Sequence, residues 1–356
     1  MTGAPCSGKR VPAGTIALAA LSLITLLAPG TCRADDLRML EDSVARAYAA
    51  FKSLDEGETA QYIPALAQAD PGHFGLVIMT VDGQVIAAGD TDVPFAIMSA
   101  AKPFTLALLL SQKGRAIAPE RIGVEPTGLP FNDLSGIRRD RQQPMNPMVN
   151  AGAITTVSLL DVASPEQRWP LILNYYGDFA GEPLALMGDV YQSVSTSNYQ
   201  NRALVNLLQV NGWLGADPTS TLDVYNKQSC VSVTARQLAI MGATLANRGI
   251  NPVTGKTVLD SELVDEVLSV MLLSGFYDES GRWAYNVGLP AKSGVGGGIV
   301  AVVPGRMALV AYSPRLSPAG NSVRGMRAIA QIAGEQRLSL LKASPGTAKQ
   351  PRPGSP

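Results

Sequence analysis

Two apolar segments, each interrupted by a turn, stand at opposite ends of this chain with a long run of helical sequence between them. The first, HFGLVIMTVDGQVIAAG at residues 73–89, puts aliphatic residues on both sides of Asp82-Gly83, a dipeptide suited to the positive φ of a tight hairpin turn. The second, GGGIVAVVPGRMALVAYS at 296–313, repeats the pattern around Pro304-Gly305. Before the first hairpin, Leu37, Leu40, Val44, Ala47 and Phe51 recur at helical spacing over 37–54. After the second, residues 321–342 predict a last amphipathic helix. The order is helix, hairpin, helical insert, hairpin, helix. It predicts an α+β fold: an antiparallel sheet built from both chain ends, flanking helices, and a helical lobe inserted over about 105–275.

Within the insert, Ser99 to Leu110 is apolar enough to be a buried helix, and 111–150, rich in Gly, Pro and Asn, reads mostly as loop. Residues 151–275 read as helices joined by short loops. The clearest is VSVTARQLAIMGATLANRG, with Thr234 as N-cap and Gly249 past the C-terminus.

The catalytic domain is expected over 35–342. Residues 1–34 read as a signal peptide: Lys9 and Arg10, an apolar run from Thr15 to Ala28 too short to span a bilayer, then Pro29-Gly30 and small residues around Cys32-Arg33-Ala34. The Pro-rich segment 343–356 reads as a disordered tail. No later stretch is apolar enough to span a membrane, so no membrane partner is expected after cleavage. The chain carries 29 basic and 29 acidic residues, and losing 1–34 removes Lys9, Arg10 and Arg33 but no acid. The slight acidity that results gives no reason to expect a nucleic-acid partner. Only Cys230 lies beyond the proposed cleavage, so no internal disulfide is expected. Export of a single-cysteine chain fits a bacterial periplasm.

The chain has one histidine, His73, beside Pro71-Gly72 at the start of what reads as an edge strand. A surface turn is its expected place, which leaves no base for a Ser-His-Asp triad and no His/Cys zinc site. No phosphate-binding P-loop or dinucleotide fingerprint precedes a helix. A serine hydrolase here needs another base. Ser99-Ala100-Ala101-Lys102 offers one: residues i and i+3 share a helix face, and partial burial lowers a lysine pKa until its amine accepts a proton. Alone, an ordinary helix start is the better reading, because serine and lysine are common and the pattern is weak. Lys292-Ser293-Gly294, opening the late strand, strengthens it, because serine β-lactamases and penicillin-binding proteins set a Lys-Thr/Ser-Gly strand opposite a Ser-x-x-Lys helix.

Four blocks carry a more specific likeness: GVEPTGLPFN (123–132), NPMVNAGAI (146–154), TLANRGINPVTG (244–255) and SGFYDESGRWAYNVGLPAKSGVGGGIVAVVPG (274–305). Through them the chain, over roughly 37–340, resembles the bacterial serine-dependent glutaminases, a family with a β-lactamase-like fold. The resemblance implies hydrolysis of glutamine to glutamate and ammonia with no cofactor and no metal. It implies Ser99 as nucleophile, Lys102 as its proton partner, and Tyr225 and Tyr277 as proton-relay groups. A phenol beside a lysine cation can have its pKa lowered and act as acid or base. The resemblance further implies an oxyanion hole from the backbone N–H groups of Ser99 and Val295, substrate contacts from Tyr62, Asn150 and Asn201, and assembly as a homotetramer or other homo-oligomer.

The sequence also departs from the family pattern. Val194 stands where the resemblance implies a glutamate that pairs with the substrate's α-ammonium, with Ser193 and Ser195 as neutral neighbours able to accept a hydrogen bond. Gln200 replaces an arginine, Ser274 a cysteine, and Met98 a glutamine before the nucleophile. Pro103, after the lysine, is expected to bias Lys102 away from helical φ/ψ. Three readings stand at this point: a glutaminase, the same machinery acting on another amide that lacks a free α-amine, and a catalytically weak ligand-binding relic.

Overall fold

A computed structural model describes residue 1, residues 34–134, Ile137 and residues 143–342. The proposed signal peptide, but for its first residue and Ala34, and the Pro-rich tail lie outside the described residues. The helices are α1 (Ala34–Phe51), α2 (Pro64–Ala67), α3 (Lys102–Lys113), α4 (Ile117–Arg121), α5 (Asn150–Ser158), α6 (Arg168–Ala180), α7 (Gly188–Ser197), α8 (Tyr199–Val210), α9 (Pro218–Ser229), α10 (Ala235–Ala246), α11 (Ser261–Ser274), α12 (Ser280–Asn286) and α13 (Val323–Glu335). The strands are β1 (Gly75–Thr80), β2 (Val85–Gly89), β3 (Phe95–Ala96), β4 (Ala185–Leu186), β5 (Val231–Val233), β6 (Ala291–Ser293), β7 (Gly298–Val303) and β8 (Met307–Tyr312).

Five strands form one antiparallel sheet in the order β2-β1-β8-β7-β6. Its centre is where the two chain ends meet: β1 pairs with β8, from Gly75 opposite Tyr312 to Thr80 opposite Met307. Strands β1, β7 and β8 are buried along their whole length, because helices cover both faces. Helix α10 packs on β1, β7 and β8, and α1 packs on α13, which in turn rests on β8 and β7. Side chains alternate accordingly, with Val77, Met79, Val300, Val302, Ala308 and Val310 facing the core that holds Leu238, Ala239 and Met241 of α10. Thr234 caps α10 through a capping box with Gln237, and Gly249 takes φ +85° beyond its end.

Several expectations need correction. β1 is flanked by β2 and β8, so His73 precedes an inner strand; the edge on that side is β2. Lys292-Ser293 lies on a separate short strand, β6, that pairs with β7 through a tight Gly294–Gly297 turn. The last helix runs from Val323 to Glu335, shorter than the expected 321–342. The helical insert also contains a small sheet, β3-β5-β4, whose strands of two or three residues are too short to leave a period in the sequence.

One contact fixes β6 relative to the insert. A Cβ at Gly275, just past α11, would lie 1.6 Å from Ala291 O and 2.5 Å from Met271 O. Gly275→Ala is therefore expected to destabilise the protein by about 3 kcal/mol or more. A urea midpoint within error of wild type would show that the α11–β6 junction yields easily.

Candidate active site

Ser99 lies on a single 3₁₀ turn, Met98–Ala101, that runs directly into α3. Met98 enters this turn with φ +48°, a left-handed conformation uncommon for a side chain of this size. Lys102 has helical geometry, φ −57° and ψ −41°, contrary to the expectation drawn from Pro103. The reason is position: Pro103 sits in the first turn of α3, where a missing N–H breaks no intrahelical bond.

The Lys102 side chain runs inward, 2% exposed, and its Nζ donates to Asn150 Oδ1 (2.7 Å) and Met148 O (3.2 Å). Both acceptors are placed by the NPMVN segment. Asn146 Oδ1 accepts from Met148 N and Val149 N, forming the turn that starts α5 at Asn150. Asn150 then joins three groups: its Oδ1 also accepts from Tyr225 Oη (2.9 Å), and its Nδ2 donates to Asn201 Oδ1 (2.8 Å). Burial without a carboxylate partner lowers the Lys102 pKa to about 7.

Tyr277 stands at the opposite wall on a 3₁₀ turn, with φ +57°. Its hydroxyl donates to Ser293 O (3.1 Å), and the Ser99 side chain lies close enough to oppose the rise in its pKa. Its ring packs against Phe131 and lies 4.0 Å from Lys292 Nζ. Lys292 is fully buried, donates to Gly275 O and Ser293 O, and is held well below the usual lysine range by burial and then by Lys102. The phenols do not follow the sequence-based expectation of lowered pKa. Burial pushes Tyr277 up to about 12 and Tyr225 higher still. With two flanking lysines displaced toward neutrality, no fixed cation among the described residues offsets that desolvation.

Val295 follows Gly294 in the β6–β7 turn. A Cβ at Gly294 would fall 3.2 Å from Ser99 N and 2.7 Å from Ile97 O, so only glycine lets this turn lie against the Ser99 backbone. Ser99, Tyr62, Asn150, Asn201, Tyr225 and Val295 all line one cavity of about 560 Å³, with Lys102 beneath its floor. Tyr277 is buried against Ser99, and Tyr62 is about half exposed at the rim. The structure thus brings together every site residue expected from the sequence. It adds Phe131, Asn198, Asn226 and Ser229, none of which carried a signal beyond an ordinary loop or helix residue.

Val194 is buried, lines the cavity and belongs to an apolar cluster with Ile63, Met98, Val190 and Cys230. Ser193 Oγ accepts from Ala65 N instead of facing the cavity. Asp278, exposed, is the one carboxylic acid among the described residues lining this cavity. Gln200 accepts from Asn132 Nδ2. Ser274 is buried, and its hydroxyl has no partner among the described residues.

The glutaminase family model matches residues 57–341. The chain belongs to the glutaminase family. It is 46% identical over 301 residues to a glutaminase of Mycobacterium ulcerans, covering 85% of this chain and 94% of that protein. It is 46% identical over 308 residues to glutaminase 1 of Shigella flexneri, covering 86% and 99%. Among solved structures, a probable glutaminase, ybaS, superposes with a TM-score of 0.85 at 44% identity over 86% of this chain and all of that one. A probable glutaminase of Bacillus subtilis gives 0.77 at 30% identity, covering 86% and 97%. The chain is thus a glutaminase-family hydrolase with the β-lactamase-like fold, and glutamine hydrolysis to glutamate and ammonia is its activity.

Proposed function

We propose that this hydrolysis proceeds through an acyl-enzyme on Ser99. The observation that carries the reading is the buried Lys102 amine, one turn from Ser99 and with a pKa near 7, where a neutral amine is available as base. Ser99 Oγ loses its proton to Lys102 and attacks the side-chain amide carbon of glutamine. The oxyanion is received by the backbone N–H groups of Ser99 and Val295. The C–N bond breaks as the proton passes from Lys102 to the leaving nitrogen through the Tyr277 hydroxyl, which is held beside the site by its bond to Ser293 O. Water then repeats the sequence and releases glutamate. With its high pKa, Tyr277 works as a proton-carrying phenol, not a phenolate. Acid-quenching during turnover, followed by intact-mass measurement, tests this. A glutamyl adduct on wild type that is absent from Ser99→Ala is expected. Unchanged ammonia release by Ser99→Ala overturns the reading.

The cavity wall around Val194 favours a second, finer reading: relaxed selection at the substrate's α-nitrogen. An ammonium set against apolar side chains loses hydration without a paired charge, whereas an acylated nitrogen has no such cost. The kcat/KM values for glutamine, N-acetyl-glutamine and glutaramate are expected to agree within about tenfold, and Val194→Glu is expected to shift the ratio toward glutamine by roughly tenfold or more. A wild-type preference for glutamine above about a thousandfold would sink this.

We further propose export by the segment 1–34 and assembly as a homo-oligomer, a tetramer by the family resemblance. Osmotic-shock fractionation and light scattering test these. Among the described residues, no helix is long and apolar enough to cross a membrane.

A further inference from the structure

We propose that Asn321 is a positioning residue for Tyr277, holding both ends of the hydrogen bond that aims the Tyr277 hydroxyl. The inference rests on the reading of Tyr277 as proton carrier to Ser99. Asn321 lies between β8 and α13 and is fully buried. Its Oδ1 accepts from Ser293 Oγ at 2.5 Å, and its Nδ2 donates to Glu279 Oε2 at 2.8 Å and, at 3.4 Å, to Phe276 O. The orientation of the amide is forced: a carboxylate and a carbonyl only accept, so Nδ2 faces Glu279 and Phe276, which leaves Oδ1 for the serine.

These partners bracket Tyr277 in sequence and in space. Phe276 and Glu279 belong to the turn that holds Tyr277 at positive φ, closed on its other side by Ser280 Oγ, which accepts from Phe276 N and donates to Tyr277 O. Ser293 supplies the carbonyl that receives the Tyr277 hydroxyl. One side-chain amide therefore ties the turn carrying the phenol to the strand carrying its acceptor. Gly320, beside it, passes against Val295: a Cβ there would be 3.3 Å from Val295 Cγ1. Proton transfer depends steeply on such geometry, and a displacement of about 1 Å can cost roughly a hundredfold in rate.

The test uses the full chain and three variants. N321A removes both arms of the tie. N321D keeps an acceptor for Ser293 but sets a second carboxylate against Glu279. N321D combined with E279Q exchanges donor and acceptor across the 321–279 contact and restores that arm beside the bond to Ser293, while Phe276 O loses its longer, 3.4 Å donor. The first two are expected to lower kcat by roughly ten- to a hundredfold with KM within about threefold, and the double variant to recover most of kcat. A folded N321A or N321D with kcat within about twofold of wild type overturns the proposal. If neither single variant folds, the double variant decides. Near-wild-type kcat supports the proposal, while a wild-type Tm with kcat still depressed overturns it by showing a purely structural tie. Y277F separates this from the underlying reading: full activity in Y277F defeats the role of Tyr277 itself, whereas an inactive Y277F with fully active Asn321 variants defeats only the positioning claim.

Discussion

Ser99→Ala lowers kcat for ammonia release by roughly 10⁴- to 10⁶-fold, the scale of loss when a covalent nucleophile is removed from an otherwise intact site. The effect should be this large because no second nucleophile stands ready. Lys102 lies below the cavity floor with its amine committed to Asn150 and Met148, and both nearby phenols keep their protons well above neutrality. Binding of glutamate should survive, since the amide and hydroxyl groups lining the cavity are untouched. Stopped-time ammonia assays, paired with a thermal shift on added glutamate, check both halves. A loss below about a hundredfold means that water attacks the amide directly.

Lys102→Met comes next, with an expected fall of roughly 10²- to 10⁴-fold in kcat. Methionine fills the channel but accepts no proton and leaves Asn150 Oδ1 with Tyr225 as its remaining donor. Lys102→Arg should be no better, because a guanidinium stays protonated at any working pH. The wild-type pH profile carries the same information. A lysine whose pKa is lowered to about 7 is mainly neutral above that pH and an ammonium below it. Only the neutral form takes the Ser99 proton, so kcat/KM should fall with acidification through an apparent pKa near 7, by roughly tenfold per unit. Lys292 is coupled to the same step, since charging both buried lysines at once is opposed by their mutual repulsion. The limb should be absent from Lys102→Met. A flat wild-type profile from about pH 5 to about pH 8 would exclude Lys102 as the base.

The sheet was legible in the sequence because β1, β7 and β8 each carry an unbroken aliphatic run beside a turn dipeptide. β4 and β5 were not, since two or three residues show no period. Ser99 and Lys102 were legible as a spacing, while Asn150 and Asn201 needed the resemblance, since an isolated asparagine equally marks a turn. Depth was the hardest thing to read. The phenol pKa values went the other way from the expectation because nothing in YNKQSC or GFYD announces how completely those rings are removed from water. Pro103 misled for a related reason: its effect depends on whether it falls in the first turn of a helix or later. Asn321 sits in a loop of Pro, Gly, Asn and Ser, where its role shows only once Ser293 and Glu279 are seen on either side of it.

The pairing of β1 with β8 sets a timetable for the chain's first appearance. Residues 75–80 leave the ribosome early and can find their partner only after residues 307–312 have emerged. At about 5–20 residues per second, the aliphatic β1 segment, free to pair locally with β2, waits for on the order of ten seconds or longer with its β8-facing edge unpaired. The central sheet cannot close during that interval, and the exposed strand edge is aggregation-prone for as long. A holding chaperone at that stage should raise the yield of native enzyme without touching its final stability. A circular permutant that joins the described chain ends and opens at an exposed loop of the helical insert should shorten the wait, because β8 and β1 would then be made one after the other.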